Sequence, residues 1–322
     1  MQYKFKAFSL ILFVFTGLLS FNLYGEKYAG EITRAGVGIR NSALGGTGLT
    51  DVESPAPAYW NAALLAELEG NNLTFELSHS EEFMGLVNYD SFSATWGKES
   101  KYSLSIMRIG VENVPLTKLP NPDEEPGIDN QPYKYKSITN SDYIAYFGLY
   151  RRINSYVVGF TPKLIYRSLA ETNGYGIGAD ISTYLKPTEN LLIGLKVRDF
   201  FSTQIFWQNG TNETVRPSVD TEVSHLFTTP LIGTKSRVIF SCDVYAEGRE
   251  LASTTHLGLF SFDYHVGLEV PMPEYLTFYI GYDVRNLTSG LTLDINQFQV
   301  NYCFKYDTEL DNSHKLSLGL KL

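Results

Sequence analysis

Beyond Phe21 the 322-residue chain has no apolar run near the roughly 20 residues that a helix needs to cross a bilayer, so helical membrane spans are excluded. Two cysteines, Cys242 and Cys303, are too few for a disulfide scaffold or a zinc site. Basic residues are outnumbered, 26 Lys and Arg against 35 Asp and Glu for a net charge of −9. That balance argues against nucleic-acid binding, which depends on neutralised phosphates. No nucleophile elbow, His-Glu-x-x-His or phosphate-cradling loop occurs. Gly36 and Gly38 lack the strand–turn–helix context of a nucleotide fold. The five histidines, His79, His225, His256, His265 and His314, are scattered. The expectation is a protein that is not an enzyme and carries neither cofactor nor metal.

What the chain does have begins at its N-terminus. Lys4 and Lys6 precede a continuous apolar run from Ala7 to Phe21, and a short polar-to-small stretch ends at Gly25. A positive start, a short apolar core and a small residue at the end are the marks of a secretory signal peptide, here residues 1–25. No cysteine lies near the cleavage point, which argues against a lipoprotein. Tyr (22) and Phe (20) are abundant beside three Trp and 27 Gly. Many aromatics and glycines without a helical span point to strands, and barrels place aromatics in girdles at both membrane interfaces.

Alternation of period two recurs in segment after segment. Leu316, Leu318, Leu320 and Leu322 alternate with Lys315, Ser317, Gly319 and Lys321. Leu276, Phe278, Ile280, Tyr282 and Val284 alternate with Thr277, Tyr279, Gly281, Asp283 and Arg285. Leu191, Ile193, Leu195 and Val197 share a face opposite Gly194, Lys196 and Arg198, and Tyr175, Ile177, Ala179 and Ile181 oppose Gly176, Gly178 and Asp180. A soluble sandwich also alternates. Here the polar faces are rich in glycine and in charges of both signs, as in a crowded wet lumen, and the apolar faces are nearly free of charge. The fold class expected is therefore all-β, a transmembrane antiparallel barrel of the bacterial outer membrane. It has about 14 strands, near 72–80, 86–97, 101–111, 141–152, 155–167, 174–186, 190–204, 217–228, 236–247, 255–270, 275–286, 289–296, 297–307 and 314–322. Dividing the 255–270 and 289–307 regions otherwise gives 12. Pro162 marks a bulge or a strand end in this reading.

Between strands, the Pro-rich stretch Glu112–Asn140 reads as a long exposed acidic loop, and Phe206–Pro217 as a second loop. Cys242 falls on the lipid side with Val238 and Phe240, whereas Cys303 falls on the lumen side with Asn301 and Lys305, which argues against a disulfide. Asp180, Lys196, Arg198, Glu269, Asp283 and Arg285 are expected lumen charges, lining a solute path or forming an inter-strand ion-pair lattice.

Residues 26–71 carry Gly36, Gly38, Arg40, Gly45, Gly46 and Gly48, then Asp51, then Ala58-Tyr59-Trp60-Asn61-Ala62-Ala63-Leu64. This resembles the start of the PorV/PorQ family, a branch related to the long-chain fatty-acid porins of FadL type. In that family a GxGxRAxxxGGA-like stretch precedes a YWNPAGLA-like stretch. His265, Gly267, Glu269, Gly281 and Tyr282, then Asn301 to Phe304 and the closing His314–Leu322, resemble its C-terminal segments. Departures are Ala62 in place of the family's proline, Asn41 in place of alanine and Leu322 in place of phenylalanine. The resemblance implies a hatch, residues 26–71, folded inside a barrel of residues 72–322. Gly36, Gly38, Arg40, Gly45, Gly46, Asp51, Trp60 and Asn61 form its motif, with Arg40 and Asp51 answering charges on the inner wall. It also implies passive uptake of hydrophobic small molecules, with a fatty-acid-like ligand. The alternative is a PorV-like role in binding or shuttling secreted proteins, and a third reading is purely architectural. Outer-membrane lipid and the barrel-assembly machinery, the latter through the terminal strand, are the other partners expected; nucleic acid is not.

Overall fold

The computed structural model describes residues 30–70, 73–230, 232–307 and 311–322. The expected signal peptide, residues 1–25, lies outside the described residues. Seventeen strands form among them: β1 (Thr74–Glu82), β2 (Val87–Trp96), β3 (Tyr102–Lys118), β4 (Tyr133–Ile153), β5 (Tyr156–Leu169), β6 (Thr172–Thr188), β7 (Leu191–Arg198), β8 (Gln204–Trp207), β9 (Asn212–Thr214), β10 (Ser218–Thr228), β11 (Lys235–Tyr245), β12 (Thr255–Leu257), β13 (Phe260–Pro271), β14 (Leu276–Asp283), β15 (Asn286–Ile295), β16 (Phe298–Tyr306) and β17 (Ser313–Lys321). All pairings are antiparallel. Apart from the short β8, β9 and β12, neighbours in sequence pair, β7 pairs with β10, β11 with β13, and β1 returns to β17 through Leu77↔Leu318 and Ser78↔Ser317. Setting aside the short β8, β9 and β12, fourteen strands close on themselves. A closed ring leaves no edge with unpaired backbone groups, the condition for spanning hydrocarbon with strands.

The pleat puts oil outside. Leu77, Leu164, Ile177, Ile280, Leu316 and Leu318 each expose more than half of their surface. Such an apolar surface around the whole wall is untenable in water and requires acyl chains. Tyr143, Tyr166 and Tyr175 line up across β4, β5 and β6, with ring centroids 6.1 and 5.3 Å apart. Trp96, Tyr102 and Phe147 cluster near the opposite end of β2, β3 and β4. A charged group lies on the outer face: Asp90 pairs with His79 (2.7 Å) and Arg108 (2.8 Å). Arg108 is the register partner of Tyr143, so this group lies level with the tyrosine row. There water and headgroups solvate charge at little cost.

Four expectations need correction. The segment 112–140 is a loop only over residues 119–132. Val114 pairs with Ile138 and Pro115 with Ser137, so β3 and β4 extend past β2 and β5 as a two-stranded ribbon. This ribbon is wet on both faces, and without a buried face its sequence has no apolar alternation to read. Residues 206–217 are not a plain loop: β8 and β9 (204–214) form a hairpin there that pairs to β6 where β7 has ended at Arg198. Pro162 causes neither bulge nor strand end. The β4–β5 register is the same on both sides of it, Tyr146↔Lys163 and Leu149↔Phe160, so proline's missing N–H interrupts the ladder without shifting it. Arg285 is not a lumen charge. Strand β14 ends at Asp283, Val284 turns with φ +56°, and Arg285 lies exposed with Nη2 donating to Ser253 O.

The N-terminal residues supply a large share of the buried apolar core, from Val37 to Leu65. Val37, Ala56, Ala58, Tyr59 and Trp60 pack with Met107, Ile144, Tyr146 and Ile165 of β3, β4 and β5. Ile39, Ala43 and Leu44 pack with Ile239, Tyr279 and Cys303. Residues 30–67 thus sit against the inward faces of strands around much of the ring.

Candidate functional site: the lumen and the segment inside it

Three short pieces build the inner segment: 3-10 turns at Glu31–Arg34 and Ala62–Glu67, and between them the five-residue helix α1 (Ile39–Ala43). Gly38 (φ +91°) delivers the chain into α1, and Gly45 (φ +74°) and Gly46 (φ +77°) carry it out. These conformations favour glycine. Space demands glycine at Gly45 too: a Cβ there would lie 2.5 Å from Val266 O and 2.6 Å from Tyr282 O, both wall backbone. Wall glycines reciprocate, since a Cβ on Gly194 would meet Leu49 O at 2.7 Å. Trp60 Nε1 donates to Val37 O (2.7 Å), tying the two halves of the segment together. Asn61 caps the second 3-10 turn by accepting from Ala63 N (3.1 Å), and its amide donates to Leu49 O (2.7 Å).

Charges hold this segment to the wall. Arg40, 4% exposed, pairs with Asp51 at 3.0 Å and with Glu269 of β13 at 2.8 Å, and donates to the Tyr279 hydroxyl at 2.6 Å. Arg237 of β11 completes a ring, reaching Asp51 at 2.7 Å and Glu269 at 2.6 Å. Glu222 of β10 accepts from Gly48 N, Thr50 N and the Thr50 hydroxyl at 2.9, 2.8 and 2.6 Å. Contacts of this charge-assisted kind are stronger than neutral hydrogen bonds. They leave Arg40 and Asp51 answered by the wall.

The lumen charges fall into groups. Asp180 pairs with Lys163 (2.9 Å) and Lys196 (3.1 Å), and Lys163 also meets Asp199 (2.5 Å); Lys196 donates to Tyr59 O. Arg198 pairs with Asp220, which Arg34 also reaches at 3.1 Å. Asp283 lies 3.1 Å from His265 Nδ1 and 2.8 Å from Lys305 Nζ. Sequence reading placed Lys305 on the lumen side but missed Arg34, Lys163, Asp220, Glu222 and Arg237. Alternation does place each on an inner face, apart from Arg34, but says nothing of its partner. Cys242 and Cys303 are both free thiols. Among the described residues no three His, Cys, Asp or Glu side chains group as a metal site.

Two cavities flank the segment. One, about 230 Å³, lies towards the end of the barrel that carries the 246–259 connection. It is lined by Arg34, Gly46, Tyr59, Trp60, Arg198, Arg249 and Asp283, among others. The other, about 300 Å³, lies towards the end with the 189–190 and 229–234 turns and includes Arg40, Val52, Leu192, Leu226, Arg237 and Pro271. Residues around α1 separate them, with Arg40 on one side and Ser42 and Gly46 on the other.

No protein-family model matches the chain. No curated protein matches it in sequence. In fold it is similar to the Pseudomonas putida toluene transporter TodX, at 12% identity and a TM-score of 0.53, covering 89% of this chain and 97% of that one. It is likewise similar to the Ralstonia pickettii toluene transporter TbuX, at 10% identity and a TM-score of 0.53, covering 90% and 98%. The monoaromatic hydrocarbon channel CymD aligns at 12% identity and a TM-score of 0.52, covering 89% and 97%. At such identities the likeness establishes the architecture: this chain has the closed antiparallel barrel fold of the hydrocarbon channels.

Proposed function

We propose that the chain is an outer-membrane channel of FadL type for passive uptake of small, largely hydrophobic molecules, with residues 30–67 acting as a hatch. The observation that carries this reading is the divided lumen. Cavities of about 230 and 300 Å³ lie towards opposite ends of the closed barrel, and what separates them is a segment held to the wall by non-covalent contacts. Passage then requires only that this segment shift. The fold shared with TodX and TbuX supports the channel class, and the signal-like N-terminus supports export to the outer membrane. On this reading the terminal strand β17, with Leu316, Leu318 and Leu320 facing outward, is the edge offered to the assembly machinery. Membership of the PorV/PorQ branch rests on the glycine-rich and Tyr59-Trp60-Asn61 motifs.

The test is flux into vesicles with lipopolysaccharide in the outer leaflet, using a panel of small organic solutes. Protein-dependent entry that rises when residues 30–67 are deleted supports the channel. Absence of entry for every solute with both forms would refute it. The cargo-binding alternative draws on the projecting β3–β4 ribbon and its tip loop, where Tyr133 and Ile128 are exposed. Crosslinking from residue 128 that captures no exported protein would remove that reading.

A further inference from the structure

The inner segment threads the barrel from end to end. At one end a Cβ on Gly30 would meet Val215 Cγ1 at 2.7 Å, and Glu31 pairs with Arg249, both partners lying in connections between strands. At the other end Ala66 O accepts from Arg152, beside the 154–155 turn, and Gly70 O accepts from Lys101. The Gly30 end carries the longer connections, 119–132 and 246–254 among them, whereas none at the opposite end exceeds residues 229–234. Outer-membrane barrels have short periplasmic turns and longer outer loops, so Gly30 lies at the outer end. The segment is joined to β1 at the periplasmic end and leaves the lumen only once its outer end lets go.

We propose that the connection of residues 246–254 is a strap over that outer end, and that Arg249 is the positioning residue through which it holds the segment shut. The inference rests on the channel reading and names how its hatch is released. Two ionic contacts hold the outer end. Arg34 reaches Asp220 (3.1 Å) and Asp243 (3.3 Å) and lies 4.4 Å from the Tyr245 ring. Those partners stand on β10 and β11, which are laddered together and do not move singly. Glu31 differs, because its partner is on a connection: Oε1 meets Arg249 Nη2 at 2.8 Å. The same guanidinium holds Asp263 of β13 through Nη1 at 2.7 Å and lies 4.2 Å from the Tyr245 ring. Arg249 thus joins wall, strap and segment with one planar group, whose separate N–H edges a lysine cannot imitate. Other ties at the base of the strap are hydrogen bonds. Ser253 Oγ donates to Arg249 O (2.6 Å), Thr254 N to Asp263 Oδ1 (3.0 Å) and Arg285 Nη2 to Ser253 O (2.9 Å). Leu251, the strap's large aliphatic side chain, is 86% exposed and anchors nothing. A connection held by polar contacts without a core of its own belongs to the parts of a fold that open locally. When it lifts, Glu31 loses its partner and the outer end is left with the contacts of Arg34.

The test is the open fraction of single channels in planar bilayers, for the full chain, Glu31→Gln, Arg249→Met and the double variant. Losing a partly exposed ion pair should make Glu31→Gln open about two- to fivefold more often than wild type. Arg249→Met also unties the strap from Asp263 and should open at least as often. The double variant should match Arg249→Met, because the contact that Glu31→Gln removes is already gone. Glu31 is 43% exposed, so Glu31→Gln keeps the fold and decides alone where Arg249→Met does not fold. An open fraction of Glu31→Gln equal to wild type would overturn the proposal, as would a Glu31→Gln effect just as large in the Arg249→Met background. If the chain lacking residues 30–67 conducts while Glu31→Gln gates as wild type does, the strap alone fails. If that deletion passes neither current nor solute, the channel reading fails and the strap with it.

Discussion

Replacing Gly45 with valine should detach the inner segment while leaving the barrel intact. Gly45 sits at φ +74°, and an added Cβ would fall within 2.5–2.7 Å of Val266 O, Tyr282 O and Tyr282 N. These are ladder atoms of β13 and β14, which pair along Val266↔Tyr282 and cannot yield without breaking the wall. The left-handed backbone costs ~1–2 kcal/mol for a side-chain-bearing residue, and overpacking a filled site adds ~1–3 kcal/mol. The sum, about 2–5 kcal/mol, shifts the balance between docked and undocked segment by about 30-fold or more. The strand ladders do not share that strain, because the segment itself can move away. In planar bilayers the wild-type chain should conduct rarely, and Gly45→Val should open far more often. Migration of the unheated protein on a detergent gel should stay that of a folded barrel. Unchanged conductance with the folded band retained would refute the reasoning, because it would mean that the segment does not bar the path.

Two further outcomes concern the wall. Ile280, mid-strand in β14 and more than half exposed, faces acyl chains, so Ile280→Arg should destabilise refolded protein by ~2–4 kcal/mol in lipid. Urea titration in vesicles measures this, and a loss under about 0.5 kcal/mol would remove Ile280 from the lipid face. Ser78 and Ser317 are register partners where β1 meets β17. The double variant Ser78→Cys, Ser317→Cys should therefore form a disulfide on mild oxidation, since paired Cα atoms in antiparallel sheets fall within disulfide range. Failure to crosslink in the folded protein would contradict closure between the first and last strands.

The wall was legible because lipid outside and a filled lumen inside impose strict alternation on every spanning segment. Asn296, in the left-handed region at φ +55°, turns β15 into β16 and settles the division of residues 289–307 in favour of fourteen strands. Where that constraint lapses, reading failed. The ribbon beyond Val111 is solvated on both faces, and Arg285 continues the alternation of β14 after the backbone has already turned. The glycine-rich stretch announced close packing, yet nothing in it indicated that Arg40 and Asp51 meet Arg237 and Glu269, about 200 residues away along the chain. Such partners are set by which strands face α1 across the lumen, a property of the closed ring and invisible in any one segment.

The two native cysteines test the central arrangement most directly. Cys242 points outward with Phe240, half-buried among lipid-facing side chains, whereas Cys303 is fully buried under Ile39, Ala43 and Leu44 of the inner segment. In reconstituted vesicles a lipophilic maleimide should label Cys242, and a bulky charged maleimide should label neither thiol. Deleting residues 30–67 should then open Cys303, and not Cys242, to the charged reagent. Ready labelling of Cys303 in the intact chain, or of Cys242 by the charged reagent, would contradict a barrel with oil outside and the N-terminal segment within.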